Sequence, residues 1–169
     1  ASAAIARGDI DCATVVGADI VSHFVFTGFA ALQALSSTPC RPFDEDRDGL
    51  SLGEAAAALT PKSESRAVAD GDAVIGVIEG WGVANDAHHI TAPARDGRGL
   101  IAAIEAALSK AKRHADEIAG VNAHGTGTVY NDLMECVALE ATFGQRPLPA
   151  HSIKGATGHT LGAAGALET

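Results

Sequence analysis

Cysteines are few in this chain: Cys12, Cys40 and Cys136 are widely spaced, odd in number and in no CxxC pair. That pattern argues against a disulfide framework and against a thiolate zinc site, and it suits a reducing compartment. Cations are also in deficit, with 12 Lys and Arg against 21 Asp and Glu and a net charge of -9. Such a balance opposes nucleic-acid or anionic-membrane binding as a main role. The one basic cluster, Lys110, Lys112, Arg113 and His114, suits a helix C-terminus, where cations face the negative end of the helix dipole. No apolar run approaches the ~20 residues of a membrane helix, and no basic-then-apolar leader opens the chain, so the expected location is cytoplasmic. Short repeats and low-complexity tracts are lacking too.

What is present is globular composition: 169 residues, 47% apolar, with 19 glycines, enough for one ordinary core. Ala13 to Gly17 and Val74 to Ile78 read as buried strands, and Phe24 to Leu35 as an apolar helix. Gly99 to Lys112 reads as a helix with Leu100, Ile101, Ile104 and Leu108 on one face, followed by a strand from Ile118 to Ala123. Ser36 to Gly49, with two prolines, and the polar stretch Ser63 to Asp72 read as loops. Glu54 to Leu59 stays open between helix, by alanine propensity, and strand, by position. The alternation implies an α/β layered fold. The chain begins without Met in Ala1 to Arg7 and stops at Ala166-Leu167-Glu168-Thr169, both of helical composition without start or stop signals, so a piece of something longer is expected.

Two histidines stand in small-residue settings: His124 in Asn122-Ala123-His124-Gly125-Thr126-Gly127-Thr128, and His159 in Lys154-Gly155-Ala156-Thr157-Gly158-His159. At the end of a strand, His124 is followed by glycines that let a ligand approach the backbone and threonines that can hydrogen-bond it. A helix starting near Thr160 would place His159 at its N-terminus, where the dipole disfavours imidazolium and holds the ring as a neutral donor. Neutral imidazoles converging on one carbonyl oxygen can stabilise the charge that develops there in acyl or enolate chemistry. Taken singly, each histidine also reads as structural, and Gly155, Gly158, Gly162 and Gly165 with their alanines also read as close helix packing.

The combined motifs resemble the β-ketoacyl-acyl carrier protein synthases. They are His124-Gly125-Thr126-Gly127-Thr128 with Asp132 and Glu135, Lys154 ahead of His159, and Leu161-Gly162-Ala163-Ala164-Gly165-Ala166-x-Glu168. Earlier segments agree, among them Gly28-Phe29-x-Ala31-Leu32 and Arg41-Pro42-Phe43-Asp44-x-Asp46-Arg47-x-Gly49-Leu50. The resemblance implies a thiolase-like layered α-β-α-β-α fold of two similar halves, held here in part: residues 1–62 as the end of the first, 63–72 as a connecting loop, and 73–169 as much of the second. It implies decarboxylative Claisen condensation, in which a cysteine takes an acyl group from acyl carrier protein and a malonyl thioester loses carbon dioxide to give the attacking enolate. His124 and His159 would polarise the malonyl carbonyl, and Lys154 would order the site electrostatically. Thr126 and Thr128 would bind the pantetheine arm and Phe29 would line the acyl pocket. Asp132 and Glu135 read equally as a capping box and as orienting Lys154. Asn122 and Glu168 match supporting positions but are too few to predict a metal, and no cofactor is implied. The implied partners are acyl carrier protein and a second subunit in a homodimer or heterodimer.

The resemblance places the nucleophile roughly ten residues before Ala1, so the isolated chain is expected to be inactive in condensation. Cys12, Cys40 and Cys136 lack the strand-to-helix context and read as inert. Asp44-x-Asp46-x-Asp48-Gly49 imitates an EF-hand start, but Ala55 stands where the bidentate glutamate belongs. Lys154 precedes its glycines, unlike a Walker loop. His23, His88, His89, His114 and His151 read as surface residues. Three places depart from the family pattern: Ile153 replaces a usual threonine, Val129-Tyr130-Asn131 a proline-led spacer, and Gln33 a residue often basic. The last, with the net charge, disfavours docking of an acidic carrier protein. Other readings are a non-catalytic chain-length-determining partner subunit, against which the intact His124, Lys154 and His159 speak, an interaction module with structural histidines, and thiolase-type chemistry.

Overall fold

Helices and strands are mixed along the computed structural model, which describes residues 1–169. In chain order they are α1 (Ser2–Ala6), β1 (Val15–Asp19), α2 (His23–Ala31), β2 (Ala55–Leu59), α3 (Glu64–Asp70), α4 (Arg98–Ala111), β3 (Val121–Asn122), α5 (Val129–Phe143), β4 (Ala150–His151), α6 (Lys154–Thr157) and α7 (Ala164–Glu168). Short 3-10 turns occupy Ala115–Glu117 and Leu161–Ala163. No helix is long and apolar enough to cross a membrane. The chain forms two compact units, residues 1–20, 54–78 and 160–169 in one and 21–53 and 79–159 in the other.

In the first unit β1 and β2 pair antiparallel, from Val15 opposite Leu59 to Asp19 opposite Ala55. The alanine run of β2 is therefore a strand, because ladder hydrogen bonds and alternating burial override helix propensity. Gly17 is required by close approach: a Cβ there would lie 2.9 Å from the Gly162 carbonyl oxygen. The Asp19 carboxylate accepts the Gly162 N–H at 2.9 Å. Two expectations need correction. β1 is not buried on both faces, since Val15 and Val16 are exposed and Gly17 alone in it is buried. The segment 63–72 is not a loop, because Ser63 caps α3 by accepting the Arg66 N–H and Gly71, at φ 69, ends it in the left-handed region. A third correction concerns Val74–Ile78, whose residues join no ladder and are exposed. Apolar composition signals a need for cover, and no neighbouring strand of this chain supplies it.

In the second unit Ser22 caps α2 by accepting the Val25 N–H at 3.2 Å. This helix stops at Ala31, short of the expected Leu35, because Gln33 adopts φ 52 and Leu35 turns away to bridge Leu50. Gly97 and Lys112, both left-handed, bound α4 close to expectation. α4 lies against α5, where a Cβ on Gly97 would come within 2.9 Å of the Ala138 Cβ. The strand expected over 118–123 shrinks to β3, paired in parallel with β4 as Val121–Ala150 and Asn122–His151. Its backbone runs straight into His124.

Candidate functional site

The loop after β3 is held by two carboxylates of the helix that follows it. Glu135 accepts the N–H groups of His124, at 2.7 Å, and Gly125, at 2.6 Å. Asp132 accepts those of Thr126, at 3.0 Å, and Gly127, at 3.1 Å, and reaches the Phe43 N–H at 2.8 Å. Asp132 is 1% exposed and Glu135 4%. Buried carboxylates are tolerated because each is saturated by charge-assisted hydrogen bonds, and Asp132 also faces the Arg47 guanidinium at 3.8 Å. The capping-box reading is thereby corrected: Thr128 is the N-cap of α5, and both carboxylates lie inside the helix and reach back over it.

Lys154 opens α6 and is 1% exposed. Its Nζ donates to the His124 carbonyl at 2.6 Å, which ties the second loop to the first. Ser152 adds a parallel tie, its hydroxyl donating to the Gly125 carbonyl at 2.7 Å. His159 is fixed through its backbone, donating to the Ser51 carbonyl at 2.6 Å and accepting from Gly53 N–H at 3.1 Å. The expected helix after it is replaced by the turn at Leu161–Ala163 followed by the short α7.

These ties bring the His124 and His159 rings to a centroid separation of 5.2 Å, edge-on at 82°. His124 is exposed and His159 half-buried, so the pair is open to a ligand. Two imidazole N–H groups at that spacing can reach one oxygen atom, the arrangement that stabilises an enolate or a tetrahedral oxyanion. Gly125 is needed for the close packing: its φ is +40, and a Cβ there would lie 2.5 Å from the Ser152 Cβ and 2.8 Å from the Phe43 ring.

The hydroxyls of Thr126 and Thr128 lie 2.8 Å apart on the same loop. Phe29 is half-buried on α2, Asn122 stands on β3 opposite His151, and Glu168 ends α7 in the other compact unit. No group of three or more His, Cys, Asp or Glu is placed to hold a metal ion. A separate surface hollow of about 350 Å³ is lined by His88, Ala94, Arg95, Asp96 and Arg98. Sequence reasoning missed what the segment 40–53 does. Beyond Phe43, Ser51 and Gly53, its Gly49 N–H donates to the Gly127 carbonyl at 3.1 Å and its Cys40 thiol donates to the Lys154 carbonyl at 3.0 Å. Pro42 and three aspartates made it read as plain loop; the left-handed turn residue Phe43, φ 63, carries no such signal.

Two family models cover most of the chain: "Beta-ketoacyl synthase, N-terminal domain" over residues 1–67 and "Beta-ketoacyl synthase, C-terminal domain" over residues 75–169. The 3-oxoacyl-[acyl-carrier-protein] synthase 2 of Staphylococcus aureus is 41% identical over 172 residues, covering 97% of this chain and 43% of that protein. Among solved structures, the ishigamide ketosynthase/chain length factor matches with a TM-score of 0.93 at 37% identity, over 99% of this chain and 41% of that one. A ketosynthase solved with its type II PKS acyl-carrier protein matches with a TM-score of 0.93 at 29% identity, over 98% of this chain and 43% of that one. The chain thus spans about two fifths of the length of these relatives.

Proposed function

The chain belongs to the β-ketoacyl synthase family, with the corresponding part of its thiolase-like fold, and from that membership we propose that it carries the histidine and lysine portion of a 3-oxoacyl-acyl carrier protein synthase. The observation that carries this reading is the pair of imidazoles 5.2 Å apart on loops locked by Lys154, Asp132 and Glu135. In the proposed reaction a cysteine thiolate, assigned to none of Cys12, Cys40 and Cys136, displaces carrier thiol from an acyl thioester. Malonyl thioester then loses carbon dioxide, and the electron pair of the broken C–C bond becomes an enolate whose oxygen sits between the His124 and His159 N–H donors. The enolate carbon attacks the acyl-enzyme carbonyl and expels the thiolate, giving a 3-oxoacyl thioester.

Lys154 acts through the His124 backbone and through its charge near the enolate. Asp132 and Glu135 hold the His124 loop, with Asn122 as an outer support. Thr126 and Thr128 receive the pantetheine arm, and Phe29 lines the acyl chain. Acyl carrier protein is the proposed donor of both substrates, and a second copy or a related subunit the proposed dimer partner, in the cytoplasm. Residues 1–62 and 73–169 are assigned to the two thiolase-like halves.

The test is a chimera in which this chain replaces the matching stretch of the Staphylococcus aureus relative. It should release carbon dioxide from malonyl-carrier protein and form 3-oxoacyl product. His124→Ala and His159→Ala should each lower decarboxylation by ~10²–10³, the usual loss for one oxyanion donor. Decarboxylation unaffected by either substitution would overturn the reading.

A further inference from the structure

We propose that Cys40 is a positioning residue that sets the spacing of the His124 and His159 rings. It stands at the middle of an unbroken hydrogen-bonded path between them. The His159 N–H donates to the Ser51 carbonyl at 2.6 Å, and the Ser51 hydroxyl accepts the Cys40 N–H at 2.9 Å. The buried Cys40 thiol donates to the Lys154 carbonyl at 3.0 Å, and the Lys154 ammonium donates to the His124 carbonyl at 2.6 Å. The Lys154 carbonyl also accepts the Gly158 N–H at 2.9 Å, so both of its lone pairs are used and the short α6 is fixed at that atom.

Cys40 also fills space between the two loops. A Cβ on Gly127 would lie 3.3 Å from the Cys40 Cβ, and one on Gly155 would lie 3.4 Å from Pro42 and 3.8 Å from the Cys40 carbonyl. A side chain of this size, packed against Gly127 on one side and tied to α6 on the other, fixes the separation of the histidine loops without touching a reactant. That role rests on the reading that the two histidines act on one oxygen.

The test uses the 169-residue chain with isotope-labelled histidine, read by NMR. In Cys40→Ser, which keeps a donor, the nuclear Overhauser contact between the two rings and their ring chemical shifts should match the wild type. In Cys40→Ala the contact should weaken, both rings should shift, and the His159 amide should exchange about threefold faster, the order expected for one weak hydrogen bond. Independently, Ellman's reagent should react with Cys40 far more slowly than with the exposed Cys12 and Cys136, a measurement that needs no variant to fold. Unchanged rings in Cys40→Ala, failure of Cys40→Ser to restore them, or a Cys40 that reacts as fast as the other thiols would overturn the proposal. None of these readouts depends on decarboxylation, so decarboxylation unaffected by His124→Ala and His159→Ala, with the NMR result intact, would sink the catalytic reading while leaving the control of ring spacing by Cys40 as a structural fact.

Discussion

The loop around His124 and the stretch Val74–Ile78 show two ways in which a sequence states a requirement. In the loop, consecutive N–H groups from His124 to Gly127 meet carboxylates of α5, a few residues on in the chain. In the stretch, apolar side chains meet solvent, with Ile75 98% exposed. α2 resembles the second case, with Phe24 85% exposed. Hydrogen bonds are short-ranged and directional, so nearby residues can complete them. An apolar run needs a broad covering surface, which can come only from another element. The polar region is therefore finished within its own compact unit and the apolar one is not.

Substitutions should separate the two regions most sharply at Asp132. Asp132→Ala leaves the Phe43, Thr126 and Gly127 N–H groups without their acceptor and Arg47 without its counter-charge, a loss of about 3–5 kcal/mol. Ile75→Ser, in contrast, should stay within about 0.5 kcal/mol of the wild type, as exposed substitutions do. Urea unfolding of both variants measures the difference. Similar midpoints would mean that the stretch is covered after all, or that the carboxylate ties are dispensable.

A pair of glycines gives a smaller effect with the same logic. Gly125→Ala must place a Cβ at a positive φ and 2.5 Å from the Ser152 Cβ, which costs about 1–3 kcal/mol in strain and overpacking. Gly76→Ala meets nothing within 4 Å and no positive φ, so its effect should lie within about 0.5 kcal/mol. Thermal unfolding of the two variants side by side is the check, and a Gly76→Ala loss matching that of Gly125→Ala would erase the contrast.

The same distinction explains what could be read in advance. The amphipathic repeat of α4 was legible because helix periodicity is local, and the histidine motifs were legible because small residues and threonines around an imidazole have a short-range chemical sense. β2 was ambiguous because its partner, β1, lies far away in sequence and pairing overrides alanine propensity. The polarity of 63–72 hid α3, although Ser63 and Gly71 are start and stop signals that could have revealed it. The three-residue spacing of Asp132 and Glu135 read as a capping box or as orienting Lys154, and only the fold shows that both carboxylates turn back to the loop before their helix. The bracing by residues 40–53 was beyond reach, since it depends on contacts far apart in sequence, such as Phe43 to Asp132 and Cys40 to Lys154.

The smallest effect lies at Cys136, one turn beyond Asp132 on α5, where the polar region shades into surface. Its thiol is accessible, yet partial desolvation on the helix pushes its pKa up, with Arg47 opposing and Asp132 and Glu135 adding to the rise. The thiolate is the reactive form, so a raised pKa means less of it at pH 8 and slower alkylation. The pH midpoint for iodoacetamide modification should therefore lie above that of the same thiol in the urea-unfolded chain. Salt discriminates between the causes: screening weakens the carboxylate and guanidinium contributions but leaves desolvation in place. Because desolvation is the largest of them, the midpoint should move little when salt is added. A midpoint that collapses to the unfolded value in high salt would show that the field of the two buried carboxylates, and not local burial, governs this edge of the site.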